Sequence, residues 1–223
     1  MPNKKLSSKA NKAVVLLSGG LDSAVTLYLA KAQGFICHCL IFDYGQRHIK
    51  EIEAAKKIAR KACSEYQVLK ISFPWKGSSL LDKTKKVSRY RSKDIPDTYV
   101  PARNIIFLSF ALSFAESISA KAIFIGAHAQ DYSGYPDCRP DFFNAFKRVV
   151  YSGTRAGVSG KHIQIKTPLI NKGKADIIKL GIRLNAPIKL TWSCYKGGRK
   201  PCGVCDSCFY RRKGFKEAGI QGL

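Results

Sequence analysis

A chain of 223 residues, 45% of them hydrophobic, can bury a full core and suits one α/β domain with a small appendage. No apolar run approaches bilayer-spanning length, since Ser109 and Ser113 interrupt Ile105–Ala115, so no membrane span is expected. The net charge of +24 is extreme and draws in polyanions and anionic substrates. It supports two readings: RNA or DNA binding, or a solvated surface around a site for an anionic nucleotide, with lysines spread along the chain.

Met1–Lys12 reads as a basic disordered tail, and with only Ala13–Leu17 apolar behind it, it does not make a signal peptide. A cytoplasmic location follows, where eight cysteines are expected as metal ligands or buried thiols rather than disulfides. Val14–Leu17 is a short continuous apolar run, as in a parallel strand buried on both faces. Ser18-Gly19-Gly20-Leu21-Asp22-Ser23 breaks it. The glycines allow a sharp turn with bare N–H groups, and Asp22 or Ser23 can cap the helix that Ala24, Val25, Leu27, Tyr28 and Leu29 continue until Gly34. Strand, glycine turn and helix N-terminus together form an anion site.

SGGxDS is more specific than a lone Gly-Gly. It resembles the PP-loop of the ATP pyrophosphatases, which cleave ATP between the α and β phosphates and transfer AMP to an oxygen. The Lys-Ser/Thr ending of a Walker A loop is missing, so an adenylating enzyme is expected. Leu17, Ser18, Gly19, Gly20, Leu21, Asp22, Ser23, Ala24, Val25, Thr26 and Leu27 are the candidate nucleotide-binding turn.

Phe35–Phe42 is a second apolar strand. Phe42-Asp43-Tyr44-Gly45-Gln46-Arg47-His48 at its end is polar and aromatic where an open parallel sheet places its ligands. Ile49–Ala62 is a lysine-laced amphipathic helix, and Gln67–Ile71 a third strand. Phe73–Tyr99 lacks periodicity, as lids, binding loops and disordered segments do. Its Lys83, Lys85, Lys86, Arg89, Arg91 and Lys93 either hold phosphates or RNA or are simply solvated.

Val100–Asn104 opens an apolar helix, Ile105–Ile118, and Ala122–Ile125 is a fourth buried strand ending in Gly126-Ala127-His128. A lone histidine there is more often structural than catalytic. Asp131–Pro140 is a polar loop, Phe142–Val150 a helix and Gln164–Thr167 a short strand. Pro168 precedes a helix over Lys174–Leu180, closed by Gly181. This alternation argues a doubly wound, Rossmann-like parallel sheet over residues 13–185, with residues 186–223 a helical cysteine-bearing segment packed on it.

In that segment Cys194, Cys202, Cys205 and Cys208 stand as C-x7-C-x2-C-x2-C. The C-x2-C spacing lets thiolates converge on one tetrahedral ion, and Gly203 eases the turn. Structural Zn²⁺ is the expected occupant, because a closed four-sulfur shell leaves no open position for chemistry. An iron–sulfur cluster is the competitor. Cys37, Cys39, Cys63 and Cys138 share no spacing, and most of these are expected as small buried hydrophobes.

With these segments placed, the chain resembles 7-cyano-7-deazaguanine synthase, the QueC family of queuosine-precursor biosynthesis. The resemblance runs in family order from Lys12 onward, through SGGLDS at 18–23, FDYGQRH at 42–48, VPARN at 100–104, DYSGYPDCR at 131–139, TPLINKGKADIIKLG at 167–181, and WSCYKGG with PCGVCDSC within 192–208. Ala102 departs from the family's usual Gly or Asn, and Asn171-Lys172-Gly173 precede the lysine where other residues are common. The basic run 83–93 has no family counterpart.

The resemblance implies a ligase that turns 7-carboxy-7-deazaguanine, ammonia and ATP into the nitrile through adenylated intermediates. The PP-loop N–H groups, with the Ser18 and Ser23 hydroxyls, would hold departing pyrophosphate. Asp22 would hold Mg²⁺ or cap the helix, and Lys174 would neutralise phosphate. Phe42 and Tyr44 would pack adenine beside Gly126, and Arg103 and Asn104 would face the nucleotide or the acid. Asp131, Ser133, Tyr135, Asp137 and Arg139 resemble a deazaguanine-binding loop: an acidic residue accepts from the purine-like N–H edge and Arg139 pairs with the carboxylate. The resemblance also implies a homodimer with no membrane partner, fed with ammonia that is free or brought by another protein. Nucleic acid is not required, although the charge permits non-specific binding. The rivals are a PP-loop tRNA-modifying enzyme and a nucleic-acid-binding zinc module.

Overall fold

Apolar runs that alternate with amphipathic helices give a five-stranded parallel sheet with helices on both faces. The computed structural model describes residues 11–47, 49–75, 77–82, 84–85, 95–129 and 134–221. Its strands are β1 (Lys12–Leu16), β2 (Ile36–Asp43), β3 (Glu65–Lys70), β4 (Ala122–Phe124) and β5 (Gln164–Lys166). They lie in the order β3-β2-β1-β4-β5. The helices are α1 (Leu21–Ala32), α2 (Ile49–Lys61), α3 (Arg103–Ser117), α4 (Pro140–Gly153), α5 (Arg155–Val158), α6 (Lys174–Arg183) and α7 (Asp206–Glu217).

The two-residue period of a strand splits the core into two layers. Val14 and Leu16 of β1, with Leu40 and Phe42 of β2, face Leu108, Ala111 and Leu112 of α3 and Phe143 and Phe146 of α4. Ala13, Val15, Cys37, Cys39 and Ile41 face the other way, onto Ala24 and Leu27 of α1 and Ile52, Ala55 and Ile58 of α2. A third cluster joins Val25 of α1, Ile177 and Ile178 of α6 and Phe215 of α7. The expected doubly wound sheet is therefore present. Among the described residues no helix is long and apolar enough to cross a membrane.

The chain moves outward from β1 to β3 and then returns to the other side of β1 as β4. A crevice opens beyond the carboxyl ends of β1 and β4, at the switch point where this fold class binds ligands. Several local expectations need correction. Neither Asp22 nor Ser23 caps α1, whose N-cap is Gly20 without a side-chain hydrogen bond. Gly181 does not close α6 but lies within it, where a Cβ would stand 2.8 Å from Val25 Cγ2; its lack of a side chain lets α6 pack against α1. Of the exposed-loop basic cluster, Lys85 alone is described, and Lys83, Lys86, Arg89, Arg91 and Lys93 lie outside the described residues. The connection around it is anchored, because Ser78, Ser79, Leu80 and Thr98 are buried.

Candidate active site

The turn after β1 forms as its composition requires. Gly19 adopts φ +86°, and a Cβ on it would stand 2.2 Å from the Glu51 carbonyl oxygen, so only glycine lets the turn rest against α2. The Ser18 hydroxyl donates to Ser23 Oγ at 3.1 Å and accepts from the Gly20 N–H at 3.3 Å. Ser23 Oγ donates to the Gly20 carbonyl at 3.0 Å. Gly126, at the end of β4, approaches the start of α1 so closely that a Cβ would sit 3.1 Å from the Asp22 carbonyl.

Three titratable groups meet on this turn. Lys174, the first residue of α6, donates to Asp22 Oδ1 at 2.8 Å and Oδ2 at 2.9 Å, and lies 2.9 Å from His128 Nε2. Burial pushes the Asp22 carboxyl up, but the charges of Lys174 and His128 and the Lys174 hydrogen bond overturn this and hold it below its ordinary value. Asp22 is thus ionised and already paired. His128, named above only for its place at a strand end, is part of this cluster.

A cavity of about 260 Å³ runs from Ser18, Gly20, Asp22 and Ser23 past Phe42, Tyr44 and Gly126 to Glu51, Arg103 and Phe107. Phe42 stacks on Phe107 at 3.9 Å between ring centroids, and Tyr44 meets Phe107 edge-on at 5.4 Å. Arg103 donates to the Tyr44 hydroxyl at 3.2 Å. Burial works against the Arg103 charge, yet Tyr44, Tyr135 and Cys138 outweigh it and keep the guanidinium firmly protonated. Glu51 shows the opposite balance. Burial pushes its carboxyl up to about 7, and Arg103 only partly restrains it. A second cavity of about 140 Å³ shares Asp22 and Tyr135 with the first and adds His128, Lys174 and Arg211. Arg211 of α7 donates to Thr191 Oγ1 at 2.7 Å and Ser193 Oγ at 3.3 Å, which holds a second cation beside Lys174.

Not every residue expected at the site reaches it. Ala24, Val25, Thr26 and Leu27 have no exposed surface and line neither cavity, because α1 turns into the core after its first turn. Asn104 lines the first cavity, but its backbone N–H donates to Asp137 Oδ2 at 2.9 Å and its side-chain amide to the Asp137 carbonyl at 3.0 Å. Asp137 is consequently a buried brace between α3 and the following turn rather than a cavity-facing acceptor. Arg139 is exposed and lines neither cavity, since it stands at the N-cap of α4. Tyr135 lines both. Asp131 and Ser133 lie outside the described residues.

Sequence reasoning missed Glu51 and Arg211. Each sits among exposed lysines and arginines on a helix, where nothing in the pattern marks one charge as buried.

The cysteine segment closes over the same edge. The Trp192 N–H donates to the Gly19 carbonyl at 2.9 Å, and Lys50 lies 4.6 Å from the centre of the Trp192 ring. The sulfurs of Cys194, Cys202, Cys205 and Cys208 all lie within 4.8 Å of one another. Zn–S bonds of about 2.3 Å place tetrahedral sulfurs somewhat closer together, so a small contraction suits the set to zinc. Backbone N–H groups of Lys196 and Cys202 point at Cys194 Sγ at 3.4 and 3.3 Å, and Gly203 takes φ +71°. Cys37, Cys39 and Cys138 are buried as expected, whereas Cys63 is exposed.

A family model described as "Queuosine biosynthesis protein QueC" matches residues 12–219. A protein of Acetivibrio thermocellus named 7-cyano-7-deazaguanine synthase is 56% identical over 211 residues, covering 94% of this chain and 95% of the relative. One of the same name from Nostoc punctiforme is 51% identical over 216 residues, covering 94% and 96%. Among solved structures, NMN synthetase from Francisella tularensis superposes with a TM-score of 0.53 at 16% identity, over 96% of this chain and 79% of that one. That likeness is one of fold alone.

Proposed function

The chain belongs to the QueC family of queuosine biosynthesis proteins, and from that membership we propose that it is an AMP-forming ligase making 7-cyano-7-deazaguanine from 7-carboxy-7-deazaguanine, ammonia and ATP. The observation that carries the reading is the Lys174–Asp22–His128 cluster set on a glycine turn at the switch point, opening into an aromatic-walled cavity.

A carboxylate is a poor acceptor for ammonia, so one of its oxygens first attacks the α-phosphorus of ATP and expels pyrophosphate. Free N–H groups of the turn, the Ser18 and Ser23 hydroxyls, Lys174 and Arg211 face the charge that develops there. Ammonia then attacks the acyl carbon, AMP leaves, and a proton is shed to give the amide. A second ATP adenylates the amide oxygen, and loss of AMP and protons leaves the C≡N bond. Asp22 would hold Mg²⁺ arriving with ATP, which would neutralise the departing phosphates. The four cysteines would hold Zn²⁺, which would tie residues 186–223 to the α/β domain at 13–185. The reading includes a homodimer in the cytoplasm.

The test is an assay with Mg-ATP, ammonium and the acid, following product mass, AMP and bound metal. The nitrile together with AMP supports the reading. AMP formed only when tRNA replaces the deazapurine overturns it in favour of RNA modification.

A further inference from the structure

The first cavity contains one carboxylate with nothing to do. Glu51 lines it beside Tyr44, Arg103 and Phe107, and accepts no hydrogen bond among the described residues. The other acids nearby are engaged: Asp22 by Lys174, Asp137 by Asn104, and Asp206 of the second cavity by an interaction of its own. A half-buried carboxylate that faces a cavity with no protein donor has both oxygens open to the N–H groups of a ligand.

The surroundings select among ligands. A cation such as ammonium or Mg²⁺ would enter where the Arg103 guanidinium already supplies positive charge. Adenine offers one amine donor beside a bare ring nitrogen, which would face the second carboxylate oxygen as a like acceptor. A 2-amino-4-oxo pyrimidine edge instead presents a ring N–H and an amine N–H side by side, matching both oxygens. Tyr44 and Phe107, packed edge-on at 5.4 Å, form one aromatic side of the cavity against which a flat heterocycle can lie.

We propose that Glu51 is the specificity-determining residue that reads the paired N–H edge of the deazaguanine substrate. The proposal rests on the ligase reading above, assigns the acceptor role once expected of the 131–139 loop to α2, and gives Tyr44 to the deazaguanine in place of the adenine expected there.

Glu51→Gln keeps the shape and replaces one acceptor oxygen with a donor. The parent should bind 7-carboxy-7-deazaguanine in calorimetry without ATP, and the variant about 10-fold to 100-fold more weakly, as loss of charged hydrogen bonds implies. In turnover, KM for the acid should rise similarly while KM for ATP stays within about twofold. The sharper readout is an analogue lacking the 2-amino group. The parent should reject it by about 100-fold, and the variant by less than about tenfold, because a site built for a donor penalises its absence. Circular dichroism and unchanged ATP binding confirm that the variant is folded. Equal binding of the acid by both proteins, undiminished discrimination in the variant, or a KM change confined to ATP, Mg²⁺ or ammonium overturns the assignment. A parent that binds and discriminates the acid but yields no nitrile overturns the ligase reading while leaving Glu51 its role. A parent that does not bind the acid overturns both.

Discussion

The two ends of the cleft use half-buried charge in opposite ways. At the phosphate end, Asp22 is matched within 3 Å by Lys174, and the acid is held ionised. At the aromatic end, Glu51 accepts no hydrogen bond among the described residues, and burial raises it to about 7. Both carboxylates line the same cavity. The contrast teaches where ligand chemistry is prepaid and where it is awaited. On the ligase reading ATP would share a cation that already has a partner, whereas the group at the other end would supply the donors that Glu51 lacks. Mutations should therefore fail differently at the two ends.

The largest effect is expected at Lys174. On the ligase reading, Lys174→Ala removes a charge that would face the departing pyrophosphate and leaves Asp22 with His128 alone, at 3.7 Å, so turnover should fall by about 1,000-fold or more. Adding Asp22→Asn should restore none of it, because the same carboxylate would hold the Mg²⁺ that arrives with ATP. If the double variant regains part of the rate, Asp22 acts on phosphate by repulsion rather than by holding the metal. The two proteins, compared for rate and for ATP binding, decide this.

Gly19 links the ends, since it rests on the backbone of Glu51. Gly19→Ala combines a left-handed φ of +86° with a 2.2 Å approach to a carbonyl oxygen. Overpacking and backbone strain together should cost about 3 kcal/mol or more in denaturant unfolding. A loss below about 1 kcal/mol would mean that the turn and α2 are only loosely joined.

The glycine turn, and Phe42, Tyr44 and Arg103 at the aromatic end, were legible in the sequence, whereas Glu51 was not, for a physical reason. Glycines, small hydroxyls and an acid between a β run and a helical run leave few alternatives, so Ser18–Ser23 and the doubly wound parallel sheet followed from pattern. Cysteine spacing likewise pointed to the four thiols that converge. Glu51, by contrast, is one acid on a helix of charged residues, and its burial depends on Arg103 and Tyr44, distant in sequence. Asp137 misled because a polar loop looks the same whether its acids face a ligand or a backbone N–H. Arg211 was hidden similarly beside Arg212, and only the packing of α7 distinguishes the half-buried guanidinium from its exposed neighbour.

The Glu51 contrast also sets a pH dependence. The folded protein holds this proton more tightly, at about 7 against an ordinary 4.5, so ionising it in the fold costs stability. The cost is absent below about pH 4.5, grows as pH rises, and levels off above about 7. Arg103 and Tyr44 are the charged and titratable groups that share this environment. Glu51→Gln should therefore be more stable than the parent at pH 8, by about 1–3 kcal/mol, and lose that advantage toward pH 4.5. Thermal unfolding across this range checks it. An advantage constant with pH would place the gain in packing rather than in the charge.

The smallest expected effect concerns the turn that opens α3. Ala102 occupies the left-handed region at φ 56° and ψ 21°, directly before Arg103, and caps the helix with no side-chain hydrogen bond. Gly19 fills the corresponding strained position at the phosphate end with the residue that tolerates it. An alanine in this region is disfavoured by about 1 kcal/mol, partly offset because glycine gives up more freedom on folding. Ala102→Gly should therefore stabilise the protein by a few tenths to about 1 kcal/mol in denaturant unfolding. The Ala102 N–H, which donates to the Tyr99 hydroxyl at 3.2 Å, is present in both forms, so that bond does not confuse the comparison. A loss instead of a gain would show that the methyl group packs usefully beside the cleft. The difference between Gly19 and Ala102 would then reflect contact rather than backbone strain.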